Sequence, residues 1–374
     1  MLKVGLLREI KAHEGRVMLT PEGVKVLVKN GITVFVESDA GLMCNYENLE
    51  YERAGAQILP TMEKVFAKSE LILQVQPPSP IEYDIITPSH ILVSFLNLIH
   101  SADRLKALLK TKATFISAEL IQDDNGKYPL LMGMSEIAGK ISIHVAQRLL
   151  SIIEGGKGKL LGGTELTKPA TITIVGSGKV GRTAALHGLA NGARVNLISL
   201  KEGKLEAFAK ENPQINTFLY SQETLNSLLP ETDVLIVAVY SLKDDYDITI
   251  SREQINLMEK GSVVIDISVE QIKTVETSHI TSHEQPSFIV DGIVHYCVPN
   301  IAAAVPVTAS RILTKRILPI IKSLALKGLK DSLIEFAGLI PALNIYKGKV
   351  TNRFYADHFG YEFYNIFELL ELNL

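Results

Sequence analysis

What this chain of 374 residues has little of narrows its possible roles. It carries no clustered Lys/Arg run, and 38 basic against 41 acidic residues leave a formal net charge of −3. No long-range field therefore draws it to nucleic acid or acidic lipid. Mean hydropathy is +0.19, yet apolar runs stay short: residues 234–240 are typical, against the roughly 18 to 20 residues that span a bilayer. The two cysteines, Cys44 and Cys297, stand far apart without a pairing or metal motif, which suits a reducing compartment. The opening MLKVGLLREIK meets charge at Arg8, Glu9 and Lys11 and offers no signal-peptide core. These absences predict a soluble cytoplasmic protein with neither a nucleic-acid nor a membrane partner.

What remains is ordinary globular material: 47% hydrophobic and 21% charged residues, in a length that fits two domains. Short apolar segments alternate with amphipathic ones from the start. Leu2–Leu7, Ile32–Val36, Leu71–Val75, Ile91–Leu96 and Ala113–Ser117 read as strands. Thr20-Pro21 reads as a capped helix start, and Gly31 as its stop. A long helix is expected over Glu136–Ile153, and a second strand series follows near 171–175, 194–198, 234–239, 262–267 and 288–290. From Val307 a helix should run to about Lys327, with Gly328 as its cap. The fold class is α/β: two Rossmann-like domains, mostly parallel sheets flanked by helices. We expect residues 134–305 to form one domain, inserted between residues 1–133 and 306–374 of the other.

The strongest chemical signal is TITIVGSGKVGRTAALHGLANGA. Thr171–Val175 is a buried strand, Gly176-x-Gly178-x-x-Gly181 a turn, and Lys179–Ala190 a helix ended by Asn191-Gly192. The glycines serve a tight turn, a close backbone approach to pyrophosphate, and close helix–strand packing. The helix start, with Lys179 and Val180, offers free N–H groups to phosphate. The next strand should end in an acid that grips the adenosine ribose. Ser199 stands there instead, followed by Lys201, Glu202 and Lys204. Loss of the acid removes repulsion against a 2′-phosphate, so NADP competes with NAD as the expected cofactor; Glu202 as the ribose acid is the opposing possibility.

Beyond this turn, LLREIKAHEGRVMLTPEGV, PLLMGMSEIAGK, GSVVIDIS and HYCVPNIAAAVPVTAS resemble the alanine dehydrogenase family, in order and at similar spacing, over nearly the whole chain. The related soluble domain of the proton-pumping transhydrogenases fits less well. The resemblance implies a substrate domain built from both chain ends, a dinucleotide-binding Rossmann domain with a cleft between the two, and a homo-oligomer, hexamer or dimer. It also implies oxidative deamination of L-alanine to pyruvate with NAD. The resemblance assigns the substrate carboxylate to Arg16. It places a lysine at Gln76, a histidine at Asn97 and an aspartate at Glu270, so three site positions are altered. It also brings Ser135, Val239, Tyr240, the 240–247 loop and Ile267 to the cofactor and Asn300 to the substrate.

Asn97 can hydrogen-bond a carbonyl or imine but cannot donate a proton as imidazolium does. Glu270 keeps a carboxylate displaced by about 1 Å, a shift that matters in a tight site. His100 lies close enough in sequence to reach back toward Asn97. Three readings follow: alanine dehydrogenase activity, oxidoreduction of a different amino or imino acid, or dinucleotide binding without efficient catalysis. No metal site is expected.

Overall fold

A computed structural model describes residues 1–201, 203, 205–239, 248–270 and 273–371. The chain divides into two compact units: Met1–Gly133 with Val305–Leu374, and Met134–Ala304.

In the first unit six short strands run parallel: β1 Val4–Leu6, β2 Val34–Glu37, β3 Gln57–Leu59, β4 Leu71–Leu73, β5 Ile91–Ser94 and β6 Thr114–Ser117. Their near-continuous apolar sequences follow from burial on both faces of a helix-covered parallel sheet. In the second unit β7 Thr171–Val175, β8 Arg194–Ser199, β9 Asn216–Leu219, β10 Val234–Val237, β11 Val263–Asp266, β12 Ser287–Val290 and β13 Ile293–Tyr296 make the other sheet. The chain then returns to the first sheet with β14 Leu343–Tyr346 and β15 Lys349–Val350, both antiparallel.

The two sheets share one connectivity. The first reads β15-β14-β6-β5-β4-β1-β2-β3, the second β12-β13-β11-β10-β7-β8-β9. In each, the first strand of the series sits in the middle, and the chain reverses direction beside it: between β1 and β4, and between β7 and β10. Carboxyl ends of strands at such a reversal leave a crevice, the general ligand position of open α/β sheets.

The second core alternates across its sheet. Ile172, Ile174, Val195, Leu197, Ile236 and Ile265 belong to one buried cluster, whereas Val175, Ile198, Leu235, Val237 and Val264 belong to another. Residues of period two thus supply opposite faces. In the first unit the chain ends are bound together. Leu2 N–H donates to Ala325 O at 2.7 Å, Val17 N–H to Ser310 Oγ at 2.9 Å and Thr20 N–H to Thr314 Oγ1 at 2.9 Å.

Several details depart from the sequence expectations, which held no strand at β3, β14 or β15. The long helix is Pro129–Leu149, starting earlier because Pro129 suits the first helical position; Ser135 and Glu136 therefore lie inside it. The expected 288–290 strand exists, but it is an antiparallel edge, and the parallel strand of the series is β13. Asp291-Gly292, both at positive φ (54° and 85°), make the two-residue hairpin between them. Edge strand β9 was not expected at all; its exposed and half-buried residues give little apolar signal. As expected, the helix beginning at Pro306 leaves helical geometry at Gly328 (φ 80°), and a further helical segment then runs to Glu335.

Candidate functional site

The phosphate-binding turn in the second unit is built by steric exclusion. Gly176 adopts φ 110°, and a Cβ there would lie 2.3 Å from Ala238 O. A Cβ on Gly181 would lie 1.8 Å from Gly176 O, which fixes the helix Lys179–Ala190 against the strand end. Gly178 differs: a Cβ there meets nothing within 4 Å. Its lack of a side chain serves no internal contact and leaves the backbone approachable from outside. This is the arrangement a dinucleotide pyrophosphate needs, so the residues present fit that group.

Around the turn, Lys179 pairs with Glu136 at 3.2 Å, and Val180 carries the helix onward half-buried. Ser199 is buried at the end of β8. Its hydroxyl lies 2.7 Å from Ser177 Oγ and donates to Lys201 O at 2.7 Å. Lys201 is exposed, and Arg182 Nε donates to Ser177 O at 2.8 Å. A pair of hydroxyls therefore occupies the ground where a ribose-binding acid would stand, with cations on the same unit. Val239 N–H donates to Ser268 Oγ at 2.9 Å, and Ile267 N–H to Val237 O at 2.9 Å, which ties the ends of β10 and β11 together. Ser135 and Asn300 are half-buried residues of this unit, and Asn300 is at φ 45°. Glu270 is exposed, beyond β11. Tyr240 and the rest of the 240–247 loop, with Glu202 and Lys204, lie outside the described residues.

A cluster of charged and amide side chains belongs to the first unit, at the β1/β4 reversal. Arg16 is buried, 5% exposed, and so is Glu14, 3% exposed. Arg16 Nε donates to Glu14 Oε1 at 2.7 Å, and Nη2 donates to Oε2, a bidentate pairing that fixes the guanidinium plane. Gln76 Nε2 donates to Glu14 Oε2 at 2.6 Å. Burial alone would raise the Glu14 pKa, but the Arg16 guanidinium and the Gln76 amide outweigh it and hold the carboxyl below its ordinary value. Glu9 accepts the backbone N–H groups of Val75 and Gln76. Burial and the nearby Glu14 charge nevertheless push its pKa up to about 8.

Beside β4 lies β5, and Phe95 N–H donates to Val75 O at 2.9 Å, so the segments bearing Gln76 and Asn97 leave adjacent strands. Asn97 adopts a left-handed conformation, φ 45° and ψ 48°, tolerable for asparagine. A buried carboxylate holds that turn: Glu119 accepts Leu96 N–H at 3.1 Å and Asn97 N–H at 2.8 Å. Arg104 Nη1 donates to Leu96 O at 2.9 Å. Burial pushes the Glu119 pKa up to about 7 against these N–H donors. His100 is exposed at the end of the following turn.

The structure thus brings Arg16 and Gln76 to one carboxylate and presents Asn97 from the neighbouring strand end. Sequence reasoning missed the three glutamates that organise this region, Glu9, Glu14 and Glu119. The only available signal was an acid two residues before Arg16. Among the described residues no group of three or more His, Cys, Asp or Glu side chains is placed to hold a metal, and no helix is long and apolar enough to cross a membrane.

Comparison with known proteins places this geometry. Residues 5–138 match the family described as alanine dehydrogenase/PNT, N-terminal domain, and residues 142–353 its C-terminal domain. An alanine dehydrogenase of Halomonas elongata is 34% identical over 97% of this chain and 98% of its own. One of Methanococcus maripaludis is 36% identical over 93% of this chain and 94% of its own. A solved L-alanine dehydrogenase superposes with a TM-score of 0.89 at 33% identity, covering 96% of this chain and 99% of its own. A transhydrogenase from Sinorhizobium meliloti shares the fold, with a TM-score of 0.77 at 20% identity over 94% of this chain and 99% of its own.

Proposed function

The chain belongs to the alanine dehydrogenase/PNT family, and from that premise we propose that it is a nicotinamide-dinucleotide-dependent amino-acid dehydrogenase. Its reaction is the oxidative deamination of a small L-amino acid such as alanine to the 2-oxo acid and ammonia, or the reverse. The observation that carries this reading is the phosphate turn, in which Gly176 and Gly181 are required by their neighbours and Gly178 only by something from outside. A bound NAD or NADP supplies the hydride exchange with the substrate α-carbon. The second unit is the dinucleotide-binding domain, using Ser135, the turn residues 176–181, Ser199, Lys201, Val239 and Ile267. The first unit is the substrate domain.

There Arg16 binds the substrate carboxylate, with its plane set by Glu14. Gln76 and Asn97 orient the carbonyl or imine as neutral hydrogen-bonding amides. Neither amide releases a proton as an imidazolium or ammonium does. The family resemblance adds Glu270 and Asn300 to the substrate's surroundings and a homo-oligomer to the assembly.

The amides at 76 and 97 support a second reading, in which the substrate is a different amino or imino acid, larger or less anionic than pyruvate. A spectrophotometric assay with NAD and NADP, over L-amino acids and over oxo acids with ammonia, separates the two. Alanine turnover at roughly a few to hundreds per second establishes the first reading and shows that the amides are no handicap. Weak alanine turnover, raised by Gln76→Lys with Asn97→His made together, establishes the second; the pair acts as a unit and is not additive. Cofactor binding without turnover in either protein defeats both and leaves a binding protein.

A further inference from the structure

Away from the phosphate turn, on the outer side of the second unit, two histidines from different helices face each other. His144 lies on the Pro129–Leu149 helix and His187 on the Lys179–Ala190 helix. Their Nε2 atoms are 3.3 Å apart. The rings meet edge to face, with centroids 5.1 Å apart and planes at 72°, so they do not stack. His144 is exposed and His187 partly so, and the proposed dinucleotide and substrate chemistry uses neither.

The spacing suits a shared metal ion. A tetrahedral metal bound at about 2.0–2.1 Å to each of two imidazoles, with an angle of about 109°, sets their nitrogens about 3.3–3.4 Å apart. A right-angled arrangement at the same bond lengths sets them at only about 2.9 Å. The observed distance is the tetrahedral one, and we propose that His144 and His187 form a two-histidine site for a divalent metal ion of the zinc type. Water, or a donor from another molecule, completes the coordination.

The scaffold is stiff where such a site needs it. At Gly139 a Cβ would lie 2.6 Å from Val180 O and 2.8 Å from Thr183 Cβ, so the two helices touch backbone to backbone. Further along the same interface, a Cβ on Gly188 would lie 3.5 Å from Ile143 Cδ1. The neighbouring cation is engaged elsewhere: Lys140 bonds to Glu136 at 3.0 Å, and Glu136 also takes Lys179 at 3.2 Å. Without a metal, the same contact is a single N–H···N bond between two neutral rings of opposite tautomer.

Zinc chloride and nickel chloride titrated calorimetrically into tag-free full-length protein decide between these states. We expect one zinc ion per chain, at least tenfold weaker binding in His144→Ala and in His187→Ala, and an equal loss in the double variant. Zinc should also raise the thermal midpoint of the wild type but not of the variants, because the metal ties two helices of one folded unit. Both positions are on the surface, so the variants fold, and circular dichroism verifies it. Absence of zinc binding at about 100 μM, where even a weak site of K_d near that value is half filled, overturns the proposal. Zinc binding that persists in the double variant overturns it equally.

Discussion

The two strand reversals of this protein carry opposite kinds of site. Beside β7 and β10, the phosphate turn is made of backbone, and its residue identities are forced by distances that leave no room for a methyl group. Beside β1 and β4, the cluster is made of side chains: one guanidinium and one amide on the Glu14 carboxylate, with the Glu9 carboxylate on the backbone N–H groups of Val75 and Gln76. A steric requirement admits no substitute, whereas a charge can be exchanged for an amide if its neighbours rebalance. Gln76 donates to the Glu14 carboxylate that also clamps Arg16, so the cluster is hydrogen-bonded without a second cation.

The comparison is broken most severely at Gly181. Gly181→Ala sets a methyl against Gly176 O, and we expect loss of dinucleotide binding together with a thermal midpoint lower by several degrees, since a clash of this kind costs about 1–3 kcal/mol or more. Gly178→Ala should leave the midpoint unchanged yet weaken dinucleotide binding about tenfold or more, about 1.4 kcal/mol. Calorimetric titration beside a melting curve reads both. Unchanged affinity in Gly178→Ala removes the phosphate role of the turn.

At the other site, Arg16→Ala strips the buried Glu14 of its guanidinium partner, and removing one member of a buried pair costs about 3–5 kcal/mol. Substrate handling should fall about ten- to a hundredfold as a charge-assisted contact is lost. Arg16→Ala with Glu14→Gln should recover stability but not substrate binding. Recovery of both would show that Arg16 serves the fold alone.

Glu119 gives a smaller, pH-dependent effect. Its folded pKa, about 7, lies above the ordinary carboxyl value of 4.5, so the native state holds the proton more tightly. The stabilisation this provides is complete below about pH 4.5 and is lost as pH rises through 7, up to about 3 kcal/mol in all. Denaturant titrations at pH 5, 7 and 9 should show wild-type stability falling over that range. Glu119→Gln, which cannot ionise, should show a shallower fall; parallel curves would refute the buried-carboxyl account.

The gentlest test returns to the dinucleotide. With Ser199 and Ser177 paired through their hydroxyls, NADP should bind within about tenfold of NAD, about 1.4 kcal/mol. Ser199→Asp should then disfavour NADP by repelling the 2′-phosphate. Wild-type rejection of NADP by orders of magnitude would mean that another residue selects the cofactor.

The sequence by itself determined the strand–turn–helix that opens the second sheet almost to the residue. Thr171–Val175 and Lys179–Ala190 stand where the pattern put them, because a buried parallel strand, a three-glycine turn and an amphipathic helix each leave a local signature. The resemblance also marks Gln76, Asn97 and Glu270 as departures from the family pattern. Tertiary structure alone decided what surrounds the first of them. Folding brings Glu14 onto the Arg16 guanidinium and Gln76, sixty residues away from Arg16 in sequence, onto the same carboxylate. Nothing in the local sequence singles out Glu9 or Glu119, and only burial raises their pKa values toward neutrality. Edge strand β9 was likewise invisible, because an edge strand needs no apolar alternation. Local periodicity is written in neighbouring residues; the charge state of a carboxyl depends on what distant segments exclude from it, chiefly water.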